Sequence, residues 1–349
     1  MFERDEAGRG ASWAAAGMLA AGVETEPGEL GLHALNRASQ EMWPGFAAEL
    51  EKASGISVDL RPEGTLVVAL NRDDLARLRF NYDFQRQHGI ALEWLSLAQA
   101  RAREPHLHPQ LAGAVFCAGD HQVDNRRLVP ALIEAFAGAG GVLREQHTVS
   151  AIDIVGNRAV GVRVNGERYA ADRVVLAAGA WSGQIAGLPA SVPLPVRPVK
   201  GQMLALRMDP HAPLLQHVLW APKAYLVPRK DGRLVIGATS EERGFDPDLT
   251  AGGVLALLEG AWRAVPGIEE LPIDEMWVGF RPGSRDDAPV LGPTAVDGLV
   301  LATGHHRNGI LLTPVTADAI ARFVLSGEVA EAVRPFAIGR FAAAPKEEA

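Results

Sequence analysis

Residues 174–182 read Val-Val-Leu-Ala-Ala-Gly-Ala-Trp-Ser, and this stretch decides the fold class. Val174 to Gly179 is a continuous apolar run ending in glycine, the pattern of a buried parallel strand whose carboxyl end meets a ligand. A second run of this kind, Gly-Leu-Val-Leu-Ala-Thr-Gly at 298–304, leads into His305-His306-Arg307-Asn308-Gly309 and a helical pattern through Val324. Between the two runs the texture changes. Residues 200–208, 224–240 and 274–284 alternate apolar and polar positions, and Lys230-Asp231-Gly232 is a hairpin turn signal. The expected class is therefore α/β plus α+β: a Rossmann-like parallel-sheet cofactor domain interleaved with an antiparallel-sheet substrate domain. The cofactor domain is expected from 1–33, 121–185 and 285–349, and the substrate domain from 34–120 and 186–284.

The flanking sequence fits this division. Residues 34–54 carry Leu35, Ala38, Met42 and Phe46 at helical spacing, with Pro44 expected to divide the helix and Gly55 to end it. Residues 57–70 predict two short strands around Pro62-Glu63-Gly64. Helices are expected over 73–89 after Asn71, over 96–103 before Pro105, and over 125–141 with Leu128, Leu132, Ile133 and Phe136 on one face. Strands then follow over 142–155, 159–166 and 167–180.

Composition narrows the functional classes. With 48% hydrophobic and 22% charged residues in 349, the chain is long enough to bury a substantial core. The formal net charge of -8 offers no basic field for nucleic acid or an anionic membrane surface, so a small-molecule partner is expected. No apolar run is long enough to span a bilayer. Ala14 to Ala21 fails as a signal-peptide core because Glu3, Asp5 and Glu6 stand where positive charge is needed. The lone Cys117 can form no internal disulfide, which suits a cytoplasmic protein.

The most informative polar residues are Tyr225, Arg281 and Arg307, each in a segment whose glycine or proline brings backbone close to a ligand. An arginine fork, a neutral phenol donor and a second guanidinium suit a carboxylate. Taken singly, each arginine reads as a surface ion pair and Tyr225 as core. His305-His306 does not read as a metal site, because adjacent extended residues point apart and no Cys or carboxylate cluster accompanies them. His106, His108, His121, His211 and His217 are expected to be structural or exposed.

Five stretches together resemble the glycine oxidase family of FAD-dependent, D-amino-acid oxidase-like enzymes: GRGASWAAAGMLA (8–20), HQVDNRRL (121–128), VVLAAGAWS (174–182), YLVPRKDGRLVIGATSEERGFD (225–246), and WVGFRPGSRDDAPVLGP (277–293) with LATGHHRNGILLTP (301–314). The resemblance implies that Arg281 holds the substrate carboxylate, that Tyr225 assists, and that Arg307 lies beside substrate and flavin. It implies that Glu3 binds the adenosine ribose, that Arg4, Ala11, Ser12, Ala16, Gly17 and Met18 line the pyrophosphate and isoalloxazine, and that Val149 presents backbone to adenine. Gly179 and the run His305, His306, Arg307, Asn308, Gly309, Ile310 and Leu311 would adjoin the flavin. The implied reaction takes a small amino acid such as glycine to its imine, with O2 as acceptor and H2O2 as product, in thiamine thiazole synthesis. Positioning and an uncharged amine suffice for hydride transfer to flavin N5, so no dedicated base is expected. A homo-oligomer is expected only by the same resemblance.

The family opens with a strand, a Gly-x-Gly-x-x-Gly turn, a helix and a second strand, whereas this sequence opens at Met1-Phe2-Glu3. The expectation is that the native start lies upstream by about one βαβ unit, ~30 residues, and that a chain so shortened holds FAD poorly and leaves strand edges unpaired. Lys223 and Ser240 also depart from the family pattern around the substrate pocket. Two alternatives stay open: a sarcosine or D-amino-acid dehydrogenase using another electron acceptor, and a truncated non-catalytic product.

Overall fold

The computed structural model describes residues 1–341, so residues 342–349 of the expected third cofactor segment lie outside the described residues. Among the described residues the largest sheet has eight strands, in the order Ile273–Gly283, Arg197–Arg207, Arg233–Gly237, Ala224–Pro228, Val218–Ala221, Thr65–Ala69, Gly113–Cys117 and Glu93–Leu95. Neighbours run antiparallel except Val218–Ala221 against Thr65–Ala69, which is parallel. The alternating stretches thus form one sheet, but strand Arg197–Arg207 is buried on both faces from Val199 to Leu206, with helix Ala251–Ala264 packed on one side and Ala14, Ala16 and Trp277 on the other. The turn at Lys230-Asp231-Gly232 closes with Gly232 at φ +90°, a conformation that glycine adopts without strain. Leu204, Leu206, Leu219, Leu226, Leu234 and Ile236 point from the sheet onto Leu257, Ala261 and Ala264 of helix Ala251–Ala264. Burying each of these leucines contributes roughly 1.5–3 kcal/mol.

Three smaller sheets lie in the expected cofactor segments, the smallest being Met18–Leu19 paired antiparallel with His121–Gln122. Val290–Pro293, Leu299–Thr303 and Val174–Leu176 form one, with the last two strands parallel. Val149–Val155, Arg158–Val164 and Glu167–Ala170 form an antiparallel meander. The parallel pairing expected of 174–179 and 298–304 is present, but the first strand is only three residues long and sits at its sheet's edge. Val175 is 43% exposed while Leu176, on the opposite face, is buried, so the run is not buried on both faces as its composition suggested.

Two local expectations also differ. Pro44 does not divide its helix, which runs from Leu30 to Ser54. Packing outweighs the missing N–H: Trp43, Ala47 and Leu50 are buried on both sides of the proline, and the Trp43 indole donates to the Leu311 carbonyl at 2.8 Å. Residues 57–70 give one strand, Thr65–Ala69, rather than two. Asp59 at φ +54° and Pro62, which has no N–H, break the ladder, and only Arg61 bridges to Gln122.

The long edge strand Ile273–Gly283 is where the two regions meet. It packs against the short helix Ala11–Ala14, the turn Gly179–Gln184 and the turn His306–Asn308. No helix of the described residues is long and apolar enough to cross a membrane.

Candidate active site

Arg281 and Tyr225 come together on the sheet. Val199 of strand Arg197–Arg207 pairs with Arg281, and Tyr225 pairs with Gly237. Two glycines make room for them. A Cβ on Gly201 would lie 2.6 Å from Arg281 Nη1, and one on Gly237 would lie 2.5 Å from the Tyr225 hydroxyl oxygen. Arg281 Nη1 donates to the Thr239 carbonyl at 3.1 Å, and among the described residues the guanidinium has no carboxylate partner. Burial raises the Tyr225 pKa, with the Arg281 charge opposing, so the phenol stays protonated and able to donate. The Trp220 ring, 5.5 Å from that of Tyr225, adds an apolar wall. A half-buried guanidinium without an anion, beside a neutral donor, has the chemistry to pair with one carboxylate.

Arg307 is placed differently. Its Nε donates to Glu24 at 3.1 Å and its Nη2 to Glu29 at 2.6 Å, so the guanidinium is engaged by two carboxylates. The ion-pair reading that suits a single arginine describes this residue. The turn that carries Arg307 nevertheless packs against strand Ile273–Gly283, which carries Arg281. Burial raises the Glu24 pKa to about 7, against the pull of Arg307.

The residues expected at the cofactor fall into two groups. Gly179, His305–Leu311 and Ala11–Met18 gather near strand Ile273–Gly283. The His305 backbone bridges to Gly283, and the Trp277 indole donates to the Ala14 carbonyl at 3.0 Å. Gly17 is left-handed at φ +65°, and a Cβ there would strike the Val123 carbonyl oxygen at 2.1 Å. Gly179, also left-handed, has nothing within 4 Å of its Cβ position, and at Gly309 the nearest atom is 3.6 Å away. These open backbone surfaces suit close approach by a flat ring. The Leu311 carbonyl accepts from Ser39 Oγ at 2.7 Å as well as from Trp43, which fixes the turn leading into helix Thr313–Ser326. Ile310, Leu311 and Asn308 are buried.

The second group lies farther along the surface. Glu3 is tied through its backbone to Arg144 and His147, and Val149 begins the meander two residues beyond. Arg4 lies over the Trp181 ring at 4.5 Å and pairs with Asp5. Ser12 is exposed, and its carbonyl accepts from Asn125 Nδ2 at 2.8 Å. The residues present thus fit the ring end of FAD through backbone, and Glu3 pairs by backbone with the segment that leads into Val149. The two histidines do diverge: His305 Nε2 meets Thr316 Oγ1 at 3.1 Å, while His306 Nδ1 stands 3.8 Å from Asp287. Burial pushes both imidazoles down to about 4, so both are neutral at pH 7.

Three features escaped the sequence reading. Glu24 and Glu29 lie in an acidic loop that composition presents as solvated surface. Arg229 is 3% exposed and donates to the Ala16 carbonyl at 2.5 Å, the Val123 carbonyl at 2.7 Å and Gln122 Oε1 at 3.0 Å, so the substrate sheet holds the Ala16-Gly17 turn directly. Burial pushes its pKa down to about 10, and it remains charged. A charged residue directly after the strand ending at Pro228 was the available signal. Gly201 and Gly237 gave none, because glycine in a strand does not announce which side chain fills its space.

Comparison with known proteins accords with this arrangement. The family described as FAD dependent oxidoreductase (DAO) matches residues 1–323. The glycine oxidase of Geobacillus kaustophilus is 38% identical over 344 residues, 97% of this chain and 90% of that protein. The crystal structure of glycine oxidase from that organism matches with a TM-score of 0.90, covering 98% of this chain and 92% of that one. The bifunctional protein ThiO/ThiG of Synechocystis sp. is 38% identical over 98% of this chain, which spans only 50% of that longer protein. The crystal structure of iminodiacetate oxidase from Chelativorans sp. BNC1 matches with a TM-score of 0.85 at 27% identity, covering 95% of this chain and 90% of that one.

Proposed function

Because this chain belongs to the DAO family of FAD dependent oxidoreductases, we propose that it oxidises glycine or a closely related small amine to the imine. O2 is the terminal acceptor, H2O2 is released, and the imine hydrolyses or enters thiazole synthesis. The observation that carries this reading is the Arg281 guanidinium, without a carboxylate partner among the described residues and set beside the Tyr225 hydroxyl. Likeness to the Geobacillus glycine oxidase and to the ThiO half of a ThiO/ThiG protein supports the substrate and the thiamine setting.

Bound FAD would supply the acceptor for the hydride leaving Cα and pass its electrons to O2. The chain's own contribution is positioning. Arg281 holds the carboxylate through a charge-assisted pair, and the protonated Tyr225 donates a second hydrogen bond. Fixing that group fixes the Cα–H direction, the part of the barrier that orientation lowers. The Trp220 ring beside Tyr225 contributes apolar surface, and desolvation of an ammonium there favours loss of its proton before oxidation.

The ring segments proposed for FAD are Ala16, Gly17 and Met18, Gly179, and His305 to Leu311; Ala11, Ser12 and Arg4 are proposed nearer the pyrophosphate, and Glu3 and Val149 at the adenosine end. Purified, flavin-loaded protein should form H2O2 and ammonia from glycine, and Arg281→Met should lower kcat/KM by about a hundredfold, the loss of one buried charged pair. Flavin-loaded protein that reduces its flavin with no amine tested would overturn the reading. Reduction by amine without H2O2 would favour a dehydrogenase.

A further inference from the structure

We propose that Glu24 and Glu29 set the charge class of the substrate by keeping Arg307 occupied, so that the site binds amines with one carboxylate and discriminates against those with a second acidic group. This rests on the amine-oxidase reading above. The two guanidinium groups lie on elements that pack against each other, yet they differ in what they hold. Arg281 pairs with no carboxylate among the described residues. Arg307 is held by Glu24 Oε2 at 3.1 Å, the Glu24 carbonyl at 3.4 Å and Glu29 Oε2 at 2.6 Å.

The geometry makes this a local device of the pocket. Glu24 is 11% and Glu29 26% exposed at the side chain, so water screens the trio only partly. Strand Ile273–Gly283, which carries Arg281, packs against the turn that carries Arg307. The Glu24 charge reaches the Tyr225 hydroxyl. A ligand held at Arg281 that extends a second carboxylate toward Arg307 must therefore compete with two glutamates already bound there. Above pH ~7, where Glu24 ionises, the trio has a net charge of -1, so the approach is repelled as well as blocked. Exclusion by a standing like charge is a recognised route to specificity. Removing the glutamates leaves a free guanidinium whose fork matches a second carboxylate.

The test separates binding from turnover. Flavin-loaded enzyme is titrated calorimetrically with acetate and with malonate, neither of which carries an amine to oxidise. The wild type should bind malonate no more tightly than acetate. In Glu24→Gln/Glu29→Gln the malonate-to-acetate affinity ratio should rise at least about tenfold, as expected of one new charge-assisted pair. Adding Arg307→Met to that variant should abolish the rise. A ratio unchanged in the double variant, or a rise that survives loss of Arg307, overturns the proposal.

Should the double variant fail to fold, Arg307→Met alone decides. At alkaline pH, where the two glutamates ionise, it leaves them without their cation, so malonate should weaken against acetate by about tenfold, and an unchanged ratio there again overturns the proposal. Glycine turnover by the wild type bears on the reaction only, so failure of the amine-oxidase reading would be seen separately from failure of this one.

Discussion

The Tyr225 hydroxyl lies where a side chain on Gly237 would begin: a Cβ at Gly237 would be 2.5 Å from the phenol oxygen and 2.6 Å from Cζ. The two residues are cross-strand partners. The position of the phenol therefore depends on the absence of a methyl group on the neighbouring strand, and Gly201 plays the same part for Arg281.

Gly237→Ala should displace the Tyr225 ring and lower kcat/KM for glycine by about tenfold to a hundredfold, since a misplacement near 1 Å can cost about 10²-fold. Gly201→Ala should do the same through Arg281. Steady-state kinetics at saturating O2, with the flavin spectrum as a check on folding, measures both. Normal kinetics in Gly237→Ala would show that the phenol takes no part.

The Leu311 carbonyl accepts from Ser39 and Trp43, and this joins the long helix Leu30–Ser54 to the turn proposed beside the flavin. Trp43→Phe removes one donor while keeping most of the packing. It should cost about 1 kcal/mol of stability, a typical net hydrogen bond, and raise the FAD dissociation constant. Unfolding midpoints and flavin release measure the two effects. Lower stability with unchanged flavin affinity would confine Trp43 to the core.

Much of this was legible in the sequence because it depends on local rules. The hairpin at Lys230-Asp231-Gly232, the Asn71 and Ser96 helix caps and the alternating strands follow from turn chemistry, capping and periodicity. Arg281 and Tyr225 could be singled out because a fork and a phenol in glycine-containing strands suit a carboxylate. Pro44 and Val175 were misjudged for the opposite reason. Whether a proline breaks a helix depends on what Trp43 buries, and whether an apolar run is covered depends on what packs against each face of its strand. Both are tertiary facts.

The pairing of Arg307 with Glu24 was equally out of reach, being 283 residues long-range. Sequence places Arg307 in a glycine-bounded turn and Glu24 in an acidic loop. Nothing in either segment says that they meet, so the arginine expected at the substrate turns out to carry two internal carboxylates.

Glu24 also gives a pH dependence of fixed sign. Burial, acting against Arg307, raises its folded-state pKa from 4.5 to about 7. Between those values the folded chain binds more protons than the unfolded chain, so stability from this group is full below pH ~4.5 and is lost as pH rises toward ~7. Above that range the ionised, buried carboxylate is a constant cost. Glu24→Gln has no proton to lose. Relative to the wild type, it should therefore gain on the order of 2–3 kcal/mol between pH 5 and pH 8, whatever its absolute stability after Arg307 loses a partner. Denaturant unfolding of both proteins at the two pH values measures this difference of differences. A gap that stays constant, or that moves against the glutamine variant as pH rises, would mean that Arg307 holds Glu24 ionised throughout, and that the ion pair outweighs burial.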